Sequence, residues 1–415
     1  STLTLRNNIL KLGDSQDDNA STGFSIDSGS TLAIENGAAT DFTGHLSGTG
    51  TVSTDTSGKA FNFTNNNKAD GFGGTLALGN STLALAGVNT QALNNATLRA
   101  DDKSITTVGS GQQTIGGLTF NGGTVVFGAV APGNTVSDNT IQTSKNLDIS
   151  GKGSVKVSLG DAVNYAPDVN DKVQLLKQDD GENLIKLAGS GGTVTGNGSA
   201  LTLKDSSGSV ISSGKMTHIV NTAGGPTVAE GTWDWKLSDG TGHDGLYVTY
   251  ALKEVNLKGA GSDALALNSG TDTGSAADLS AKVTGAGDLA ITGGTVSLSN
   301  SSNDYRGVTD VRGGTLQMNN DSVLGNTSLL KLADGTGLKM AGHTQTVGAV
   351  ATAAGSLVDI AGGNLTINSG GTVQGHMQGA GTLTLEGGEL TVTGANTGLS
   401  ATTAVNSGAT ATLDN

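Results

Sequence analysis

A right-handed parallel β-helix, all β and interrupted by loop or hairpin excursions, is the fold this sequence predicts, and three observations predict it. Apolar residues recur in pairs at i and i+2, Gly-containing bends separate the pairs, and large side chains are scarce: the 415 residues include 67 Gly, 3 Pro and only 3 % aromatics. Period two places both members of a pair on one face of a short strand. Little bulk is available for a thick core, so a thin core repeated along an axis is favoured.

The pattern is cleanest near the C-terminus, where Leu365/Ile367, Leu383/Leu385 and Leu390/Val392 alternate with Thr366, Thr384 and Thr391. The same unit recurs at Leu3/Leu5, Leu10/Leu12, Phe24/Ile26, Leu32/Ile34, Phe61/Phe63, Leu76/Leu78, Leu83/Leu85, Leu118/Phe120, Leu201/Leu203, Leu289/Ile291, Val296/Leu298, Leu316/Met318 and Leu338/Met340. Asn-Gly, Ser-Gly, Asp-Gly and Gly-Gly pairs supply the bends, because Gly accepts positive φ without steric cost. A meander of antiparallel hairpins would use the same bends, but would need a second sheet to cover its apolar face. In a coil each apolar side chain stacks on its equivalent one rung away, so Leu and small β-branched residues suffice. Three strands and their bends consume roughly 20 to 25 residues per rung, which predicts roughly 15 to 20 rungs and a rod of roughly 70 to 100 Å. The right hand follows by analogy with parallel crossovers.

The chain reads as three stretches: 1–152, an N-terminal part of the β-helix; 153–257, a part with irregular excursions; and 258–415, a C-terminal part. In the middle stretch, Gly153 to Gly189 holds Pro167, acids from Asp161 to Glu182, and the apolar runs Val173 to Leu176 and Leu184 to Leu187, which reads as a modified rung with an excursion. Gly231 to Leu257 holds both Trp and two of the four Tyr. Trp233/Trp235 and Val248/Tyr250 flank Asp-Gly turn signals, as in an antiparallel hairpin, with Tyr247 facing away from Tyr250. Its aromatics read as a brace for the coil or as a ligand platform.

A formal charge of -14 is spread thinly, since only 14 % of residues are charged, and self-repulsion does not make such a chain disordered. The absence of a Lys/Arg cluster argues against nucleic acid, which needs a positive footprint. Zero Cys removes disulfides and thiolate chemistry. The longest weakly polar run, Val347 to Gly363, is too interrupted for a membrane helix. The opening residues show no basic-then-apolar signal, so any targeting signal or anchor is expected outside this chain.

Motifs for catalysis are weak. "LGDSQ" at Leu12 to Gln16 and "IDSGS" at Ile26 to Ser30 each hold part of a serine-protease nucleophile motif and read as bends. His45, His218, His243, His343 and His376 are dispersed, with neither zinc-protease spacing nor a G-x-S-x-G elbow. Asp304, Arg306, Asp310 and Arg312 include groups that polysaccharide hydrolases and lyases use, but charges at outward positions of a strand are ordinary for a solvated face. Gly259 to Leu265 matches part of one calcium-roll repeat. Asp168, Asp171, Asp179, Asp180 and Glu182 read as a solvated acidic excursion before a calcium site. The reading is therefore no catalytic residue, no cofactor, no metal and no intrinsic enzyme activity.

Asn303, Tyr305, Gly307, Thr309, Val311, Gly313, Gly314, Thr315 and Leu316 form an N-x-Y-x-G-x-T-x-V-x-G-G-T-L pattern that resembles the passenger-associated repeat of bacterial autotransporters. Phe72 and Gly74 to Leu76 resemble a looser copy, while Gly245 to Tyr250 with Glu254 to Leu257 is similar to a segment of passengers of the AIDA and antigen-43 type. The resemblance implies an exported right-handed β-helix at the bacterial cell surface or secreted. Membrane attachment would run only through a C-terminal β-barrel absent from this chain. That family includes adhesins, self-associating biofilm proteins, proteases and esterases. The rows of Thr, Ser, Asn and Asp expected on the outer face of a stacked sheet point to an adhesin in self-association between cells, biofilm formation or attachment to host matrix proteins or glycans, with a polysaccharide hydrolase or lyase on a β-helix scaffold as the alternative. The candidate interaction surface comprises Asp304, Arg306, Asp310, Arg312, Trp233, Trp235, Tyr247 and Tyr250. An acidic glycan would need a cationic strip, for which Lys103, Lys145, Lys152 and Lys156 are dispersed candidates.

Overall fold

The computed structural model describes residues 1–6, 23–67, 71–130, 134–159, 175–178, 183–211 and 215–414. Leu10, Leu12, "LGDSQ", Pro167, the Val173 end of its apolar run and the acids Asp161, Asp168, Asp171, Asp179, Asp180 and Glu182 lie outside them. The chain is an all-β, right-handed parallel β-solenoid. Among the described residues the one α-helix is Val88–Ala92, and no helix is long and apolar enough to cross a membrane.

Two compact units divide the chain: residues 1–161 with 183–212 and 235–249, and residues 162–182 with 213–234 and 250–415. Among the described residues, each unit carries one eight-stranded sheet. In the first unit it runs through Thr2–Arg6, Thr31–Glu35, Thr51–Asp55, Thr75–Leu78, Thr97–Asp101, Gly117–Asn121, Asn146–Asp148 and Thr193–Thr195. Thr31, Thr51, Thr75, Thr97 and Gly117 are successive partners in register, and their spacing is that expected of one rung. The interval is longer between Asn146 and its partner Thr193; of the Gly153 to Gly189 stretch read as an excursion, the described ends are the strands Gly153–Ser158 and Asn183–Ser190, and most of the middle lies outside the described residues.

In the second unit the sheet runs through Leu265–Asn268, Leu289–Gly293, Val308–Val311, Leu329–Leu332, Ala349–Thr352, Gly371–Val373, Gly388–Val392 and Ala409–Leu413. Its partners recur at a similar interval. Parallel stacking at this interval puts like residues on like. Leu32, Val52, Leu76, Leu98, Leu118 and Leu147 form one buried column. The six C-terminal residues expected inside, from Leu365 to Val392, are all buried. Leu3, in the outermost strand of its sheet, is 54 % exposed.

The aromatic hairpin is present and larger than expected. Thr227–Ser238 and Gly245–Leu257 are neighbours in one sheet, joined by a connection too short for parallel pairing. A third strand, Lys215–Val220, pairs antiparallel with Thr227–Trp233. Its signal was hidden because Met216, Thr217, His218 and Ile219 lack a clean alternation of apolar residues. Thr217 accepts a 2.7 Å hydrogen bond from the buried Trp233 Nε1, and the Trp233 ring meets Tyr250 edge-on at 5.8 Å.

Candidate interaction surface

The autotransporter-like repeat explains itself residue by residue as the hardware of a rung. Asn303 is buried; its Oδ1 accepts from Val283 N at 2.7 Å and its Nδ2 donates to Val323 O at 2.8 Å, joining backbone on either side. Buried backbone groups must be paired, and Asn supplies one acceptor and one donor in a single side chain. Tyr305 is fully buried, with its hydroxyl 2.6 Å from Thr309 Oγ1. Thr309 donates to Thr327 Oγ1 at 2.8 Å, and Thr327 donates to Gly307 O at 2.7 Å. Desolvation pushes the Tyr305 hydroxyl pKa far up, keeping it neutral as a hydrogen-bonding group.

The glycines are steric requirements. A Cβ on Gly307 would stand 1.9 Å from Gly287 O, and Gly314 combines φ +71 with an approach of 2.1 Å to Gly294 O. Val308 is only half-buried, and Thr309 takes the inward position between the buried Leu289 and Leu330. The hydroxyl relay from Tyr305 to Thr327 makes that inward Thr tolerable, because a buried hydroxyl is costly only when unpaired.

The charged members of the repeat lie on the outer side. Asp304 sits 3.5 Å from Lys282 Nζ, and its carboxyl is held below the ordinary range by a hydrogen bond to Thr284 and by the Lys282 charge. Arg306 is exposed. Arg312 Nε donates to Asp310 at 2.9 Å, and Arg312 reaches Gly261 O at 2.6 Å. Trp233, Trp235 and Tyr250 are buried, so their rings do not face solvent. Tyr247 is half-buried on the opposite side of its strand; its hydroxyl donates to Asp244 at 2.7 Å, and desolvation followed by that bond pushes its pKa up to about 12. Thus three of the eight residues point inward, and the other five take outward positions on their strands and turns.

The polar rows expected on the outer face of a stacked sheet take definite positions in the rungs. In the second unit, Thr344, Asn364, Thr382 and Thr402 align in register, and Thr346, Thr366, Thr384 and Ala404 align beside them. All eight are exposed or half-buried. In the first unit, Thr2, Thr31, Thr51, Thr75 and Thr97 form another outward column. Stacking places hydroxyls at about 4.8 Å along the axis and about 7 Å across the strand. Such a regular polar surface needs no pocket. Local "TLTL" and "TQTV" segments carry the alternation, while the alignment emerges only from rung register. Among the described residues, no group of three or more His, Asp or Glu is placed to hold a metal ion.

These features define the class as a right-handed β-solenoid, a fold consistent with the general passenger-domain and β-helix superfamily and a scaffold compatible with adhesins and with carbohydrate-acting enzymes. No protein-family model matches the chain, and no solved structure matches it. It is 46 % identical over 349 residues to uncharacterized protein YuaQ of Escherichia coli (strain K12), covering 83 % of this chain and 25 % of that protein. It is 37 % identical over 383 residues to uncharacterized lipoprotein YdeK of the same strain, covering 88 % of this chain and 28 % of that protein. The chain thus spans about a quarter of the length of these relatives.

Proposed function

We propose that the chain is part of the passenger of an autotransporter adhesin of the AIDA and antigen-43 type, exposed at the bacterial cell surface. Its work is self-association between cells, biofilm formation or attachment to host matrix, without intrinsic enzyme activity. The observation that carries this reading is the register of outward Thr and Asn columns across successive rungs. Weak contacts repeated from rung to rung add up, and tethering many copies at one surface multiplies them further. The repeat at Asn303 to Leu316 supports the export route through an outer-membrane barrel outside this chain. The lipoprotein name of YdeK supports an extracytoplasmic site. Self-association is favoured because identical solenoid units present matching ladders.

Display of the chain on non-aggregating cells tests the reading, with and without surfaces coated with matrix proteins or glycans. Aggregation between displaying cells is the expected outcome. At -14 the partners repel one another, so raising salt from very low levels strengthens the association as screening removes that repulsion. Attachment to coated matrix alone would assign host adhesion instead. Folded, displayed chain that does neither would overturn the adhesive assignment.

A further inference from the structure

A second outward surface has the opposite electrostatic character from the chain as a whole. In the first unit, Thr82–Leu85, Ile105–Val108, Thr124–Ala129, Gly153–Ser158 and Leu201–Lys204 form one parallel sheet. None of these five strands contains Asp or Glu, although the chain has 36 acids and a net charge of -14. Their outward column runs Ala84, Thr107, Val126, Lys156, Lys204, so the two lysines, distant in sequence, stand directly opposite each other on adjacent strands. Thr124, Ser154 and Thr202 align in the neighbouring outward column. Both lysines and all three hydroxyl residues are half-buried.

Like charges directly opposite one another are destabilising. Among the described residues neither lysine has a carboxylate partner. Asp205 follows Lys204, but its Oδ1 accepts from Ser207 N at 3.0 Å, Ser207 Oγ at 2.6 Å and Ser209 N at 3.0 Å. Lys152, exposed at the turn entering Gly153–Ser158, adds a third cation on the approach to this sheet. An anion spanning two rungs would relieve the repulsion, and the flanking hydroxyls would bind its uncharged oxygens.

We propose that Lys156 and Lys204, with Ser154 and Thr202, form a binding strip for an acidic polysaccharide carrying sulfate or carboxylate groups. A polymer is favoured because its repeated anions and hydroxyls match a strip of paired cations and hydroxyls that lies on an open sheet without a pocket. This deepens the adhesive reading by naming a partner class. Its test uses purified chain, so loss of cell aggregation and loss of glycan binding are separate results.

The full chain is passed at low salt over immobilised dextran sulfate, polygalacturonate and neutral dextran, with double-stranded DNA as a further arm. Retention on either acidic polymer, little on neutral dextran, and release by added salt are expected. K156Q combined with K204Q weakens retention by about tenfold, whereas K331Q combined with K339Q, an equal charge change in the second unit, leaves it within about twofold. Circular dichroism shows both variants folded. Retention equal in the wild type and the K156Q/K204Q variant, equal weakening by the control pair, or no retention on either acidic polymer would overturn the assignment. DNA retained as tightly as the polysaccharides, and lost with the same two lysines, would assign the strip to nucleic-acid phosphates and overturn the glycan proposal.

Discussion

Replacing Leu383 by Asp costs about 4 kcal/mol, because it sends a carboxylate into a narrow stacked core with no partner. Leu383 is buried, in register with Leu365 on one side and Thr403 on the other. Leu365 on the one side and Leu385 and Leu390 of its own rung are buried and apolar, while Thr403 on the other side is exposed. The carboxylate has two ways out: it stays protonated at the expense of a strongly raised pKa, or the strand turns it to solvent and breaks the register of Thr382–Leu385. Either removes stability that the thin core has no bulk to replace. Because each rung rests on its neighbours, the loss is local and spreads by proximity. Hydrogen exchange is therefore the informative readout: protection falls first in Asn364–Ile367, Thr382–Leu385 and Thr402–Val405. Unchanged protection there would mean that the side chain does not face the core.

Gly307→Ala is the second large effect, at about 3 kcal/mol. The added methyl would lie 1.9 Å from Gly287 O and 2.6 Å from Asp288 Oδ1. Neither atom can simply rotate away. Gly287 O belongs to the backbone of the preceding rung, and Asp288 Oδ1 accepts a 2.8 Å hydrogen bond from Val308 N. The rungs must separate at this point, which also strains the bond from Thr327 to Gly307 O. Gly37→Ala is the matched control, since nothing lies within 4 Å of its added Cβ; it changes stability by no more than about 0.5 kcal/mol. Denaturant melts of the two variants separate a steric requirement from a general effect of losing Gly. Equal, small changes in both would remove close rung packing as the reason for the glycine in the repeat.

The parts of the fold legible in the sequence are those with a short-range cause. Pairs such as Leu76/Leu78 and Val296/Leu298 are buried because alternation along one strand decides which face each residue takes. The aromatic hairpin was legible for the same reason, through Trp233/Trp235, Val248/Tyr250 and the turn residues between them. What stayed hidden depends on partners one rung away. Hydrophobicity alone favours Val308 as the inward residue, but register gives the position to Thr309, whose hydroxyl is satisfied by Tyr305 and Thr327. Asn303 resembled a motif letter until its contacts with Val283 and Val323 showed it joining the backbone of two rungs. Lys156 read as one dispersed cation, and only the pairing of its strand with Leu201–Lys204 sets Lys204 opposite it. Rung length is not constant even within the second unit, where the step from Leu265 to Leu289 is longer than the step from Gly371 to Leu390. No fixed period in the sequence therefore predicts these columns.

The proposed adhesion rests on outward polar columns, separate from the apolar residues that hold the fold. Thr366→Glu combined with Thr384→Glu puts two like charges on adjacent strands of one such column, where both side chains are half-buried and face away from the core. Cells displaying this variant are compared with cells displaying the unchanged chain in the aggregation assay, with surface amount and circular dichroism matched. The prediction is aggregation reduced by about tenfold at low salt, partly restored as salt screens the added charges, with the β-sheet spectrum retained. Undiminished aggregation by the folded variant would contradict a role for this column in adhesion.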